Sequence, residues 1–484
     1  MDDIALLTAT EMSRRYRDRS LTPLDVVQAV FERIDALNPV VTAYVALDRE
    51  EALDAARRAT EDLSRRNTAD LPPLHGIPVS IKDVTAVKGL PLTYGSPLYR
   101  DQIAAEDALI VHRLRTAGAI VIGKTNTPDF AFGGNTTNAL FGPTRNPWNL
   151  EMTPGGSSGG GAVAVALGMG PIAHGTDLGG SLRTPAAFCG IAGLRTTPGL
   201  VPIWPNLLPW DSHGVEGTMA RSIHDLALSL AAIAGPDERA PLSYPVDASL
   251  LTQAANEPDV RGWRIAWSPD LGGLLPVEPE IAVAVERAAS LFAKMGAHVR
   301  QDTPDFADLL EAVLPSRGVL MVAHHAEKYE KHRDQLPASL VWNIELGLRL
   351  TSTEIARAEI ARGRLRNRVR DFFDRYDILL MPTEPVLPFP IDQDFPAEIN
   401  GIKLDNPIHW FALCYAATIA GVPALSIPAG FSAMKLPIGM AILSASRRED
   451  KVLRAAAAFE QAQPWAQFVP PVLDALYAQK RTSA

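Results

Sequence analysis

Residues 153–193 read TPGGSSGGGAVAVALGMGPIAHGTDLGGSLRTPAAFCGIAG, and paired glycines border two hydroxyl sites within them. Ser157 and Ser158 lie between Gly155-Gly156 and Gly159-Gly160, and Ser181 follows Gly179-Gly180. Glycine reaches positive φ without steric cost, so such clusters mark tight curvature that can turn several amide N–H groups toward one point. A hydroxyl then sits beside a ring of donors. Plain glycine-rich loops around a buried helix would also read this way. A second serine after a second Gly-Gly moves the balance toward chemistry.

A serine nucleophile needs a base. The serines do not fit a Gly-x-Ser-x-Gly elbow, and His174, a lone histidine after an apolar run, reads as a core residue. Lysine can serve instead if its amine is neutral at working pH, which burial achieves by disfavouring the charged form. Lys82 ends the apolar segment of LPPLHGIPVSIKD, whereas most other lysines lie in polar stretches. By itself it reads better as an ordinary strand-end surface lysine. Metal chemistry finds no support: His324 and His325 precede Glu327, but no His-Glu-x-x-His, cysteine pair or aspartate-rich loop occurs. No glycine-rich segment ends in Gly-Lys-Ser/Thr either, so a phosphate loop is not expected.

The surrounding elements alternate. Residues 8–66 carry apolar side chains at helical spacing, with Thr22-Pro23 as a helix start. A buried strand over 77–81, a helix over 108–117 and a strand over 120–123 follow, and 162–167 is expected to be helical. Residues 199–217 form a long irregular stretch holding Trp204, Leu207, Leu208 and Trp210, then come a helix over 222–234 and a proline-containing linker over 236–259. Strand, helix and strand recur over 263–304. Two charged helices are expected over 309–376, with the arginines from 357 to 370 read as a solvated face, and a strand at 378–381 and a helix-turn-strand at 416–428 complete the pass. This predicts an α/β fold with a central mixed, largely parallel sheet and helices on both faces.

With 55 acidic and 46 basic residues spread evenly, the net charge of −9 argues against nucleic acid as a partner. Cys189 and Cys414 are far apart in apolar surroundings and are expected to be buried reduced thiols. The first twenty residues lack an apolar signal core, and the longest apolar run is too short to span a bilayer, so the expectation is a cytoplasmic protein without a membrane partner.

HGIPVSIKD with Lys82, TPGGSSGGGAVAVA with Ser157, and GTDLGGSLRTPAAFCGIAGLR with Ser181 together resemble the amidase signature family, including spacings of 75 and 24 residues between the three side chains. The likeness runs from LTPLDVVQAVFERIDALNP to AGVPALSIPAGF and LPIGMAIL. It implies one amidase domain over 1–484: N-terminal helices 1–66, a catalytic core 67–235, an α/β and helical part 260–376, and a return to the core sheet over 377–470. It implies Ser181 as nucleophile, Ser157 as a bridging serine on a cis peptide, and Lys82 as general base. The N–H groups of Leu178, Gly179, Gly180 and Ser181 would form the oxyanion hole, while Asp177, Ser158 and Arg183 brace the loops. Leu178, Arg195-Thr196 and Thr218 depart from the usual pattern and leave the neighbouring loop geometry open. Candidate substrate-binding residues are Gly133, Gly134, Asn135, Trp204, Leu207, Leu208, Trp210 and Trp410, whose aromatic and aliphatic members favour apolar or aryl substrates. No arginine marks a carboxylate pocket. The expected activity is hydrolysis of small-molecule carboxamides, extending to esters and carbamates, with no cofactor and no metal; a homodimer is common among such proteins. The alternative is the glutamine-hydrolysing A subunit of a tRNA-dependent amidotransferase.

Overall fold

The protein was analysed as a computed structural model describing residues 3–482. Its strands are β1 (Tyr44–Leu47), β2 (Pro78–Lys82), β3 (Ile120–Thr125), β4 (Ile172–Asp177), β5 (Ala192–Arg195), β6 (Val215–Ala220), β7 (Arg264–Trp267), β8 (His298–Gln301), β9 (Ile378–Pro382), β10 (Glu398–Ile399), β11 (Ile402–Lys403), β12 (Ala424–Phe431) and β13 (Pro437–Leu443). Eleven of them form one sheet in the order β1-β3-β2-β4-β6-β5-β12-β13-β9-β7-β8, and β10 and β11 make a separate ribbon. The sheet is mixed. Parallel pairing occupies two blocks, β3-β2-β4 and β9-β7-β8, and antiparallel pairs join them through β6, β5, β12 and β13. Strands β2, β3, β5, β6, β9 and β13 are buried at every position. Both faces of these strands are therefore covered, and polar residues such as Ser80 and Thr218 are buried with the apolar ones.

Two short helices lie inside the molecule. Gly159–Ala166 and Arg183–Cys189 are buried throughout, the first against β4 and the second against β5, β12 and β13. Small residues permit this: a Cβ on Gly160 would stand 2.5 Å from the Asn126 backbone nitrogen, so the helix can approach that loop only as glycine. Thr22 and Asp25 cap the helix Pro23–Val41 reciprocally, as the Thr-Pro start leads one to expect. Cys189 and Cys414 are free and buried.

Three elements differ from expectation. Within 8–66 the chain forms β1, because Thr42 adopts a left-handed conformation that ends the helix, and Asn38 Oδ1 accepts the N–H groups of Ala43 and Tyr44 and turns the chain onto β3. The 236–259 linker contains the helix Ser249–Asn256, which buries Leu251, Ala254 and Ala255. Residues 309–376 form three helices, Leu309–His332, Ala338–Leu348 and Ser352–Arg375, since a 3-10 turn at Arg333–Gln335 and a Thr351–Glu354 capping box interrupt the helical run. The arginines of the last helix are not merely solvated. Arg364 and Arg368 each donate to Asp308 at 3.0 Å, and Arg366 donates to the carbonyls of Ala420 and Gly421.

Candidate active site

Lys82 is the last residue of β2, and its side chain is fully buried. Its Nζ lies 2.6 Å from Ser157 Oγ, 3.0 Å from Ser158 Oγ and 2.9 Å from Thr176 Oγ1. No carboxylate touches it. Burial therefore dominates its proton affinity, the more distant Asp177 opposes only in part, and the pKa falls to about 7. Lys124, the neighbouring buried lysine on β3, shows the contrast. Its Nζ is 3.3 Å from Asp83 Oδ1 and donates to the carbonyls of Thr85 and Pro91, so burial lowers its pKa but Asp83 at close range opposes this.

Ser157 follows a cis Gly156–Ser157 peptide and opens the turn into the buried helix Gly159–Ala166. Ser181, half-buried, lies in the turn between β4 and the helix Arg183–Cys189. The Ser158 N–H donates to the Ser181 carbonyl at 3.2 Å, which ties the two serine loops together. Ser157 and Ser181 line one cavity of about 480 Å³.

Asp177 is the hub of the Ser181 loop. Its carboxylate accepts from Arg183 Nε at 2.9 Å, Arg183 Nη2 at 2.8 Å and Arg195 Nη1 at 3.1 Å, and from the N–H groups of Gly180 at 3.1 Å and Leu182 at 3.2 Å. Burial alone would raise its pKa, but the two guanidinium groups outweigh burial and hold it well below the carboxylate range. Removing one member of so buried an ion cluster costs about 3–5 kcal/mol, because the other charges lose compensation. The network also spends one expected oxyanion donor: Gly180 N–H is directed at Asp177 and not at the cavity. The N–H groups of Leu178, Gly179 and Ser181 remain. Arg195, one of the sequence departures, is thereby explained as the second counter-ion.

Gly179 is confined by the Tyr415 ring, since a Cβ there would come within 2.6 Å of it. Gly179→Ala is expected to push the loop off this ring, lowering kcat about 100-fold, the worth of one misplaced oxyanion donor, with little change in KM. Steady-state kinetics on any turned-over amide checks this.

The structure divides the remaining candidates. Gly133 and Leu207 line the cavity with the serines. Gly134, Asn135 and Trp410 line a neighbouring cavity of about 390 Å³. Trp410 is fully buried, and a Cβ on Gly134 would sit 2.3 Å from its indole, so that glycine exists to admit the ring. Asn135 donates to the carbonyls of Ile391 and Gln393, which makes it a loop brace. Leu208 and Trp210 face a separate surface groove, with Trp210 73% exposed. Trp204 lies outside these cavities, with Arg239 above its ring. Their loop is an outer rim to which Leu207 alone of the four adds a cavity wall.

Most of the wall comes from residues other than these eight candidates. Tyr94, Tyr99, Phe130, Phe132, Phe411 and Tyr415 supply aromatic surface, and the helix Leu309–His332 contributes a polar stripe ending in Lys328. Tyr94, Tyr99 and Phe130 pack edge-on and stacked as a cluster. The stripe's helical spacing was readable; its orientation toward a site some 150 residues earlier was not.

Among the described residues no helix is long and apolar enough to cross a membrane. A family model described as Amidase matches residues 25–453. The chain is 38% identical over 474 residues to an acylamidase from Rhodococcus erythropolis, covering 96% of this chain and 97% of that one. It is 34% identical to the A subunit of a glutamyl-tRNA(Gln) amidotransferase from Alkaliphilus metalliredigens, covering 94% and 96%. A solved bacterial aryl acylamidase of the amidase signature family superposes with a TM-score of 0.89 at 31% identity, covering 95% of this chain and 97% of that one. The match along nearly the whole length, on the fold described above, makes this chain a member of the amidase signature family and a serine amidase.

Proposed function

We propose that the protein hydrolyses apolar and aryl carboxamides through an acyl-Ser181 intermediate, and that the same acyl transfer extends to aryl esters and carbamates. The observation that carries this reading is the fully buried Lys82 amine, 2.6 Å from Ser157 at an aromatic-lined cavity that also holds Ser181. In the acylation step neutral Lys82 takes the Ser157 proton as Ser157 takes that of Ser181. Ser181 Oγ attacks the carbonyl carbon, and the N–H groups of Leu178, Gly179 and Ser181 receive the developing oxyanion. The C–N bond breaks as the proton returns through Ser157 to the leaving nitrogen, which is necessary because an amide anion is a very poor leaving group. Water then repeats the sequence on the ester.

The likeness to a solved aryl acylamidase supports an aromatic substrate. The likeness to amidotransferase A subunits carries the second reading, release of ammonia from glutamine. Glutamine is small and polar, whereas six aromatic side chains line this cavity, which favours the first. The test is a panel of acetanilide, hexanamide, glutamine, phenyl acetate and a phenyl carbamate. Turnover of the aromatic members, with an acyl-enzyme mass adduct on brief mixing with the ester, is the expected result. Turnover of glutamine alone would replace this reading with the second.

A further inference from the structure

The helix Leu309–His332 presents Arg317, Met321, His324, His325 and Lys328 to the catalytic cavity. Their spacing puts them along one face of the helix. Arg317 and Lys328 are the stripe's cations, and neither forms an ion pair among the described residues. Arg317 is nonetheless committed: it donates to Asn343 Oδ1 at 2.8 Å and to the Tyr415 hydroxyl, with its guanidinium 4.6 Å from the Phe132 ring centre. Lys328 is not. Its ammonium donates only to the His324 carbonyl one turn back, at 2.8 Å, and lies 5.8 Å from the Phe130 ring centre.

An ammonium has three donors, so Lys328 keeps donors to spare. The histidines do not share its charge: burial lowers the pKa of His324, and that of His325 falls to about 3. Neither of the cavity's own carboxylates, Asp177 and Glu216, is ion-paired with Lys328 among the described residues. Asp177 is bound by two arginines, and Glu216 lies on β6, its Oε1 3.7 Å from His174 Nε2. On the outer face of the same helix Lys331 does have its acid, Glu327, at 2.6 Å. Of the two cations turned to the cavity, Lys328 alone has no side-chain hydrogen-bond partner among the described residues.

We propose that Lys328 is a specificity-determining residue that binds an anionic oxygen group, a carboxylate, carried on the substrate away from the scissile amide. This rests on the cavity being the amide cleft. The substrate class is accordingly an amide with an aromatic or aliphatic body and a carboxylate terminus. Lysine suits the task because its flexible stem brings a point charge to termini at varied distance, and partial burial strengthens the attraction relative to open solvent.

The experiment compares, within each enzyme, kcat/KM for carboxylate-bearing and neutral partners. One series comprises anilides whose acyl chains end in carboxylate or methyl at matched length; the other is acetanilide with and without a ring carboxylate. Wild type is expected to favour the carboxylate member about tenfold in at least one pair, the scale of a partly buried charge-assisted contact, with the preference falling as salt is raised. Lys328→Met should bring that ratio near one, Lys328→Arg should retain it, and Lys328→Glu should reverse it in favour of the neutral member. A wild-type preference for the neutral member in every pair, or a carboxylate preference that survives in Lys328→Met, overturns the proposal while leaving amide hydrolysis intact. Lack of any turnover that depends on Ser181 would overturn the amide cleft itself, and this assignment with it.

Discussion

Ser181→Ala is expected to lower kcat/KM for amides by on the order of 10⁴- to 10⁶-fold, the scale seen when a nucleophile that acts together with its base is removed. In the proposed mechanism this hydroxyl supplies the atom that bonds to the acyl carbon, and no other cavity hydroxyl among the described residues lies in the donor-lined turn. Alanine keeps what the backbone does there: the Ser181 carbonyl still receives the Ser158 N–H, and the residue still begins the turn into Arg183–Cys189. Since Ser181 is half-buried at a cavity wall, its loss should move stability by no more than about 0.5 kcal/mol. Two readings separate catalysis from folding: the thermal midpoint should be unchanged, and an aryl ester should add an acyl mass to wild type but not to the variant. Residual hydrolysis at wild-type rates would remove Ser181 from the mechanism.

The parts of this site that could be read from the sequence are those whose local chemistry is costly to imitate. Paired glycines around Ser157 and Ser181 are needed because Gly160 and Gly179 meet backbone or ring atoms at distances no Cβ tolerates. Lys82 was legible as the end of an apolar strand, and the helix between the serine loops was legible from its alanines. What could not be read was contact between segments distant in sequence. The Trp204 to Trp210 loop has the composition of a binding wall, yet its tryptophans face outward, and the aromatic wall is built instead by residues such as Phe130 and Tyr415. The role of Asp177 was visible only as a brace; that it consumes the Gly180 N–H and joins Arg183 to Arg195 depends on β5 lying two strands from β4. β1 was missed because four residues between two helices carry too little periodicity to reveal a strand, and it is Asn38 that turns them onto β3.

Lys82→Met is expected to cost at least about 10³-fold in kcat/KM, since a positioned general base contributes about 10² to 10⁴ and here the same group also returns the proton to the leaving nitrogen. Methionine keeps an unbranched apolar side chain of similar length in a fully buried position, so the loss is of the amine and not of packing. The pH dependence gives the sharper check. Burial lowers the Lys82 pKa to about 7, so the base is free above that pH and protonated below it. Wild-type kcat/KM should thus rise about tenfold per pH unit up to pH 7 and level off above it, because only the neutral amine can accept the Ser157 proton. In Lys82→Met the remaining activity should lose this acid limb. The identity of the leaving group, an alcohol, an aniline or ammonia, does not matter to the limb, which belongs to the free enzyme, so its position should be the same for a fast ester and a slow amide. A wild-type profile flat from pH 5 to 9 would mean that Lys82 is not the titrating base. A limb that persists in Lys82→Met would assign it to another group.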